Sequence, residues 1–382
     1  ATVVNDTQID FANSTVRGAL SATATTGNIT QGGALNILGA TTLVTTGQGA
    51  TIDLTTTTNA FTGELLITTN DNNTPADGTY AAHASIDGGT TNLIIGTSTI
   101  DGNLTLLSGG TITDTASSTV TVKGDLNATT DANNSDITLD GLEVGGAYIL
   151  NPHGTGVVTI VNAAGIDFVE MTVDGALSAT ATTGNITQSG ALTITGTTTL
   201  VTSADNATIT LNDAGNAFTG KLLITTNDTG SETDGDVEID GGTTNLILGA
   251  STIDGDLTLR SGGTITDDGI ATVRGTLTAT TDQSNKIITL NELAVTGAFT
   301  LAPDGTGAVT IVNAAGLNLA ASTMGGDFSG TATTGNIIDT GVLTISGTST
   351  FTTSQSNDDI TLGSVNVLTG AVSLNTSGSD GD

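Results

Sequence analysis

The sequence has no cysteine and no tryptophan, and proline occurs only three times in 382 residues. Without cysteine there are no disulfides and no thiolate-bound metal, and the avoidance of thiols fits an exported chain. Large aromatics usually dominate core energetics. Two Tyr and seven Phe are too few for that, so the core must come from Val, Ile, Leu, Ala and buried Thr. Small side chains of this kind suit thin stacked layers. Positive charge is also scarce, with six Lys and Arg against 38 Asp and Glu, a formal net charge of −32. Binding to nucleic acid needs cations against phosphate, and so does attraction to anionic lipid; both are excluded. No apolar run approaches the length of a membrane span, so membrane insertion is not expected.

What the sequence does contain is repetition. GALSATATTGNITQ at 18–31 returns at 175–188, and TATTGNI reappears at 331–337. VVNDTQIDFANSTV (3–16) lines up with IVNAAGIDFVEMTV (160–173), and NAFTGELLITTND (59–71) with NAFTGKLLITTND (216–228). Self-similarity at a fixed period sets the architecture, and here it defines a long repeat of about 150 residues. The expected organisation is the end of a preceding repeat at 1–17, repeat one at 18–174, repeat two at 175–325 and a partial third at 326–382. Each full repeat contains a stretch where the copies disagree in length and composition, at 71–86 and 228–239, read as an excursion loop. Both ends fall in mid-pattern, which points to a piece of something longer or a subunit that stacks end to end.

A shorter beat runs inside the long one. The pattern aliphatic, charged, Gly, variable, Leu occurs at Val16–Leu20, Ile100–Leu104, Val122–Leu126, Val173–Leu177, Ile253–Leu257 and Val273–Leu277. Adjacent copies lie about 20–22 residues apart, and the segments between them alternate apolar and polar residues between Gly or Asn corners, the signature of short half-buried strands. The expected fold is all-β, a right-handed parallel β-helix (β-solenoid) of about fifteen turns, one continuous solenoid in which equivalent residues stack about 4.8 Å apart. Gly and Asn would take the corners, Thr the strand faces and aliphatics the interior. A β-sandwich array would need aromatic core anchors that are missing.

Strings such as TTGNITQSGALTITGTTTLVT (182–202) and DGDLTLRSGGTITD (254–267) resemble the repeats of large bacterial exoproteins of the filamentous-haemagglutinin kind. That resemblance implies a secreted or cell-surface, adhesive or scaffolding protein with an extracellular location. It carries over no functional residues, because such repeats are structural.

Candidate chemistry is sparse. Arg17, Lys123 and Arg274 share one coil-start slot with Asp101, Asp174 and Asp254. A slot that accepts either sign reads as a solvent-facing ladder. His83 and His153, the only histidines, lack partners at metal or triad spacing. Polysaccharide lyases and hydrolases need clustered carboxylates with cations; the six cations here are scattered, so an enzyme is not expected. Asp228, Glu232, Asp234 and Asp236 crowd one acidic loop and form the candidate Ca²⁺ site, weighed against a plain solvated loop. No other cofactor is implied. The expected function is a structural segment of a fibre, stalk or adhesin, a stiff β-helical rod for attachment or assembly. Its partners would be copies of itself, end to end or side by side, and host or neighbour-cell surface glycans. The alternatives are a polysaccharide-binding or polysaccharide-degrading β-helix, or an ice-binding solenoid. Ice binding would need Thr-x-Thr rows in register, whereas TTTL (197–200) and STFTT (349–353) read as falling at different places in the coil.

Overall fold

A computed structural model describes residues 1–71, 81–227, 230 and 234–378. Among these residues every element is a short β-strand, and the pairings between strands are parallel, joining residues one coil apart. The chain is a parallel β-solenoid with a period of about 21 residues and about 17 turns in all. The expected fifteen turns allowed too much chain for the excursions, since ladder strands resume at Ala84 and Val237, inside them. The coil, not the 150-residue stretch, is the structural period. Contacts divide the chain into two compact units, Ala1–Gly184 and Asn185–Asp382.

In the first unit three ladders rise side by side. Ladder one stacks four longer strands, Thr2–Asn5, Leu20–Ala24, Thr41–Thr45 and Leu65–Thr68. Ladder two stacks the short strands Ile9–Phe11, Ile29–Gln31 and Ile52–Leu54, and ladder three stacks Ser14–Val16, Leu35–Ile37 and Ala60–Phe61. The arrangement then changes. Ala84–Asp87 does not lie on Leu65–Thr68 but on Ile52–Leu54, in ladder two. The longer strands continue there as Leu104–Ser108, Leu126–Thr130 and Ala147–Asn151. Ladder one meanwhile carries paired short strands, Leu93–Ile95 with Ser98–Ile100, then Ile112–Asp114 with Val120–Val122, then the bent Ile137–Val144. Val158–Asn162 next lies on Ile137–Val144, and the longer strand is back in ladder one, followed by Leu177–Ala181.

The second unit makes the same exchange. Longer strands Thr198–Thr202 and Lys221–Thr225 pair in ladder one. Val237–Asp240 then lies on Ile209–Leu211 in ladder two, followed by Leu257–Ser261, Leu277–Thr281 and Ala298–Pro303. The longer strand returns to ladder one at Val309–Asn313, Phe328–Ala332, Ser349–Ser356 and Val372–Ser377. The chain is thus written in blocks of four longer strands, and the ladder that carries them switches at each block boundary.

Packing follows from strand alternation. In Leu20–Ala24 the residues Leu20, Ala22 and Ala24 are buried and Ser21 and Thr23 face out, a pattern shared by Leu177–Ala181 and Leu277–Thr281. Among the aromatics, Phe61, Tyr148, Phe168, Phe218 and Phe299 are fully buried, and Phe328 packs on Phe351 with ring centroids 5.3 Å apart. The Gly of the short beat makes a column at the corner. Gly124 N–H donates to the Gly102 carbonyl at 3.1 Å, and Gly146 N–H to Gly124 at 3.0 Å. A Cβ on Gly39 would sit 2.7 Å from the Gly18 backbone, so close backbone approach requires glycine there.

Polar side chains connect coil to coil. Corner Asn and Asp oxygens accept the backbone N–H one coil further on: Asn28 from Thr51 at 2.9 Å, Asn134 from Thr155 at 3.0 Å, Asp136 from Val157 at 2.7 Å. Each such bond contributes about 1 kcal/mol and satisfies a donor that the ladders leave over. A second device is a turn found in the third coil of every block. The hydroxyls of Thr45, Thr130, Thr202, Thr281 and Thr353 donate to the carbonyl five residues on. The residue before that carbonyl has positive φ in each case: Gly49, Asn134, Asn206, Asn285 and Asn357. Asn and Gly tolerate that conformation where β-branched residues do not.

Candidate functional site

The excursions are rooted by buried groups. Thr69 hydroxyl donates to the Ala82 carbonyl at 2.7 Å and accepts Asp101 N–H at 3.0 Å, tying the two sides of the first excursion together. Asp71 N–H donates to Asp101 Oδ2 at 2.9 Å. Thr226 plays the same part in the second copy, accepting Asp254 N–H at 3.0 Å. Of the four candidate Ca²⁺ ligands, Asp228 and Glu232 lie outside the described residues. Asp234 is exposed beside Gly235, which has positive φ. Asp236 is a corner cap whose Oδ1 accepts Asp256 N–H at 2.8 Å. His83 holds the same place in the first copy, its Nδ1 accepting Asn103 N–H at 2.9 Å. Among the described residues no group of three or more His, Asp or Glu is placed to hold a metal ion.

The slot of mixed sign forms an ion pair in each of two places. Lys123 Nζ lies 2.7 Å from Asp101 Oδ1, and Arg274 lies 3.6 Å from Asp254 Oδ1. In each case the opposite charge is the equivalent residue one coil below, and the next coil up carries an uncharged residue, Gly145 or Thr296. His153 contributes backbone only, its N–H donating to the Thr130 hydroxyl at 3.0 Å.

One concave cluster is one the sequence did not single out. It lies on ladder two of the second unit, a cavity of about 170 Å³ lined by Asn212, Glu238, Asp240, Thr258, Arg260 and Thr280. Arg260 Nε donates to Asp282 Oδ2 at 2.7 Å and lies 3.6 Å from Asp240 Oδ2. The Asp282 carboxylate holds the Arg260 guanidinium firmly protonated. Burial pushes the Asp240 carboxyl above the usual carboxylate range, opposed by the N–H of Gly242 and the charge of Arg260. The chemistry on offer is a saturated ion pair over a turn. Asp240 Oδ1 accepts Gly242 N–H at 2.7 Å, and in the first unit Asp87 accepts Gly89 N–H at the same distance. There the residue paired above Asp87 is Leu107, so the turn is made without the arginine. A second depression, in the first unit, is a wide shallow groove of about 580 Å³ bordered by Thr121, Lys123, Glu143, Gly145, Ala163 and Thr183. Its charged groups are already engaged: Lys123 with Asp101, and Glu143 with the Thr121 hydroxyl at 3.0 Å.

Comparison with known families matches the block pattern. The family described as Repeats of unknown function (DUF5649) matches at 1–68, 81–150, 155–225, 234–303 and 306–375. The chain belongs to that family. Each match spans one block of four longer strands, so the 150-residue similarity seen in the sequence is a pair of family repeats, one with its longer strands in ladder one and the next in ladder two. The third match divides between the units, with Val158–Asn162 and Leu177–Ala181 in the first and Thr198–Thr202 and Lys221–Thr225 in the second. No curated protein and no solved structure matches the chain. No helix among the described residues is long and apolar enough to cross a membrane.

Proposed function

We propose that this chain is a structural segment of a secreted or cell-surface fibre, stalk or adhesin of the filamentous-haemagglutinin kind. The observation that carries this reading is where the repeated polar residues go. Block after block, they are committed to bonds within a coil or to the next one. The Thr turn recurs five times, and the half-buried Gln31–Asn59 amide pair, with bonds of 2.8 Å in both directions, recurs as Gln188–Asn216. Repeat proteins of this type gain stability from neighbour-to-neighbour interfaces, and lengthening the array adds reach without new chemistry. Its partners would be further copies of the chain and surface glycans, with the rooted excursions as the places where individual repeats differ. The acidic surface would keep neighbouring segments soluble and apart.

The test is immunogold labelling of intact cells that produce the protein, with and without external protease. The reading expects label outside the cell envelope that protease strips away. Label confined to the cell interior would overturn it.

A further inference from the structure

We propose that the outward face of the fifth repeat's longer strands is a contact surface for a second copy of this chain, the two meeting face to face. The proposal rests on the fibre reading above and names the surface through which copies would associate. Register places Thr310, Ser329 and Thr350 in one outward row and Val312, Thr331 and Thr352 in the next. The lower strands extend the first row, since Thr266 pairs with Thr289 and Thr289 with Thr310. Only Thr350 and Thr352 form a Thr-x-Thr string in these rows; the strands below present Ser329 with Thr331 and Thr310 with Val312.

No charged residue stands in the fifth repeat's part of these rows, although the chain carries a formal charge of −32; on the strand below, the exposed Glu292 lies between the residues paired with Ile311 and Asn313. Acidic residues of the same repeat lie elsewhere. Asp327 is a corner cap on Thr348 N–H, Asp339 pairs with Asn366 on ladders two and three, and Asp358 and Asp359 lie in the turn after Ser349–Ser356. The first repeat shows the same depletion, with Ser21, Thr23, Thr42 and Val44 on its outward face. The fourth repeat does not, because Glu238 and Arg260 stand on its face. Two such acidic molecules repel one another over most of their surfaces, and the uncharged strand faces are where that repulsion is weakest. Regular ladders of Thr and Val are also the surfaces that pack closely against their own kind.

Four strands about 4.8 Å apart and five residues wide give roughly 300 Å² per copy, so one paired face buries well under the roughly 1,200 Å² of a stable interface. Single contacts are therefore weak, and association needs screened charge or several faces engaged at once.

The experiment is sedimentation velocity of the full chain over a concentration series at low salt and at ~0.5 M salt, where the Debye length falls to a few ångström. The expected result is a monomer at low salt and reversible association at high salt. Association should fall at least tenfold in Thr331→Glu/Thr352→Glu and stay unchanged in Thr278→Glu/Thr300→Glu, on the fourth repeat's charged face. Melting curves confirm that both variants fold. A wild-type chain that stays monomeric at high salt overturns the proposal, and so does a Thr331→Glu/Thr352→Glu variant that associates like wild type. Thermal hysteresis that vanishes in the same variant would assign the face to ice and overturn the second copy as its occupant. Surface labelling without association would remove this contact and leave the fibre reading intact; interior labelling would remove that reading itself.

Discussion

The second and fourth family repeats hold the same coils with different side chains at matching places. His83 caps a corner in one where Asp236 does so in the other. Leu107 lies above Asp87 where Arg260 lies above Asp240. Tyr148 fills a core site that Phe299 fills later. The Lys123–Asp101 pair becomes Arg274–Asp254. What persists is the hydrogen-bonding or packing duty, whichever residue type performs it. A backbone N–H needs an acceptor, and imidazole nitrogen or carboxylate oxygen both serve. The duty is set by the coil; the residue is free within it.

The largest effect should come from the amide pair that the first and third repeats share. Asn216 accepts Leu192 N–H at 2.8 Å and donates to the carbonyls of Leu211 and Asp240 as well as to Gln188. Asn216→Leu strands several buried groups at once and should cost about 3 kcal/mol or more. Asn59→Leu should cost a similar amount, read as faster hydrogen exchange in the surrounding coils. A large difference between the two would break the equivalence of the repeats.

Next in size is the Tyr148/Phe299 pair. The Tyr148 hydroxyl is buried and without a hydrogen-bond partner, and burial pushes its ionisation far above the usual phenol range. Tyr148→Phe should stabilise the chain by about 1–2 kcal/mol, and Phe299→Tyr should destabilise it by a comparable amount. Urea unfolding measures both.

The buried turn aspartates give a smaller, pH-dependent effect. Burial raises the Asp87, Asp114 and Asp240 carboxyls above their ordinary range. The fold therefore holds these protons more tightly than the unfolded chain does. Stability should rise as pH falls from neutral through the raised values and decline again as pH climbs. Asp327 has the opposite sign, lowered by the N–H and side chain of Thr348, and acts only below the usual carboxylate range. Asp87→Asn should remove part of the pH dependence while keeping an acceptor for Gly89. Melting temperatures at pH 5 and pH 7 measure this. A wild-type chain less stable at pH 5 than at pH 7 would contradict the assignment.

The smallest effect should be Arg260→Leu, which writes the second repeat's residue into the fourth. Arg260 is largely exposed, so its loss should cost only a few tenths of a kcal/mol. Equilibrium unfolding should barely resolve it. A loss above about 1 kcal/mol would mean that the fourth repeat depends on a charge the second does without.

The parallel solenoid, the coil length, the glycine column and the Asn corners could all be read from the sequence, because each repeats at one-coil spacing. The exchange of ladders could not. Ala84 follows Leu65 by the same spacing that separates Thr2 from Ser21, so local pattern stacks Ala84 on Leu65, whereas the fold stacks it on Ile52. The composition of the excursion carries no mark of that. A signal for the five repeats was present in the Thr turns, at 45–50, 130–135, 202–207, 281–286 and 353–358. The candidate site was less legible still, because acidic corner caps and acidic ligands look alike in sequence, and Asp236 is a cap.

The ladder exchange is the central structural claim, and the absence of native cysteine allows a clean test. Two double-cysteine chains should be oxidised and compared: Asp53→Cys/Ser85→Cys, and Leu66→Cys/Ser85→Cys. Residues paired across parallel strands lie within reach of a disulfide, and those on different faces do not. The fold predicts a cross-link in the first, because Ser85 pairs with Asp53, and none in the second. A disulfide that forms between positions 66 and 85 but not between 53 and 85 would contradict it.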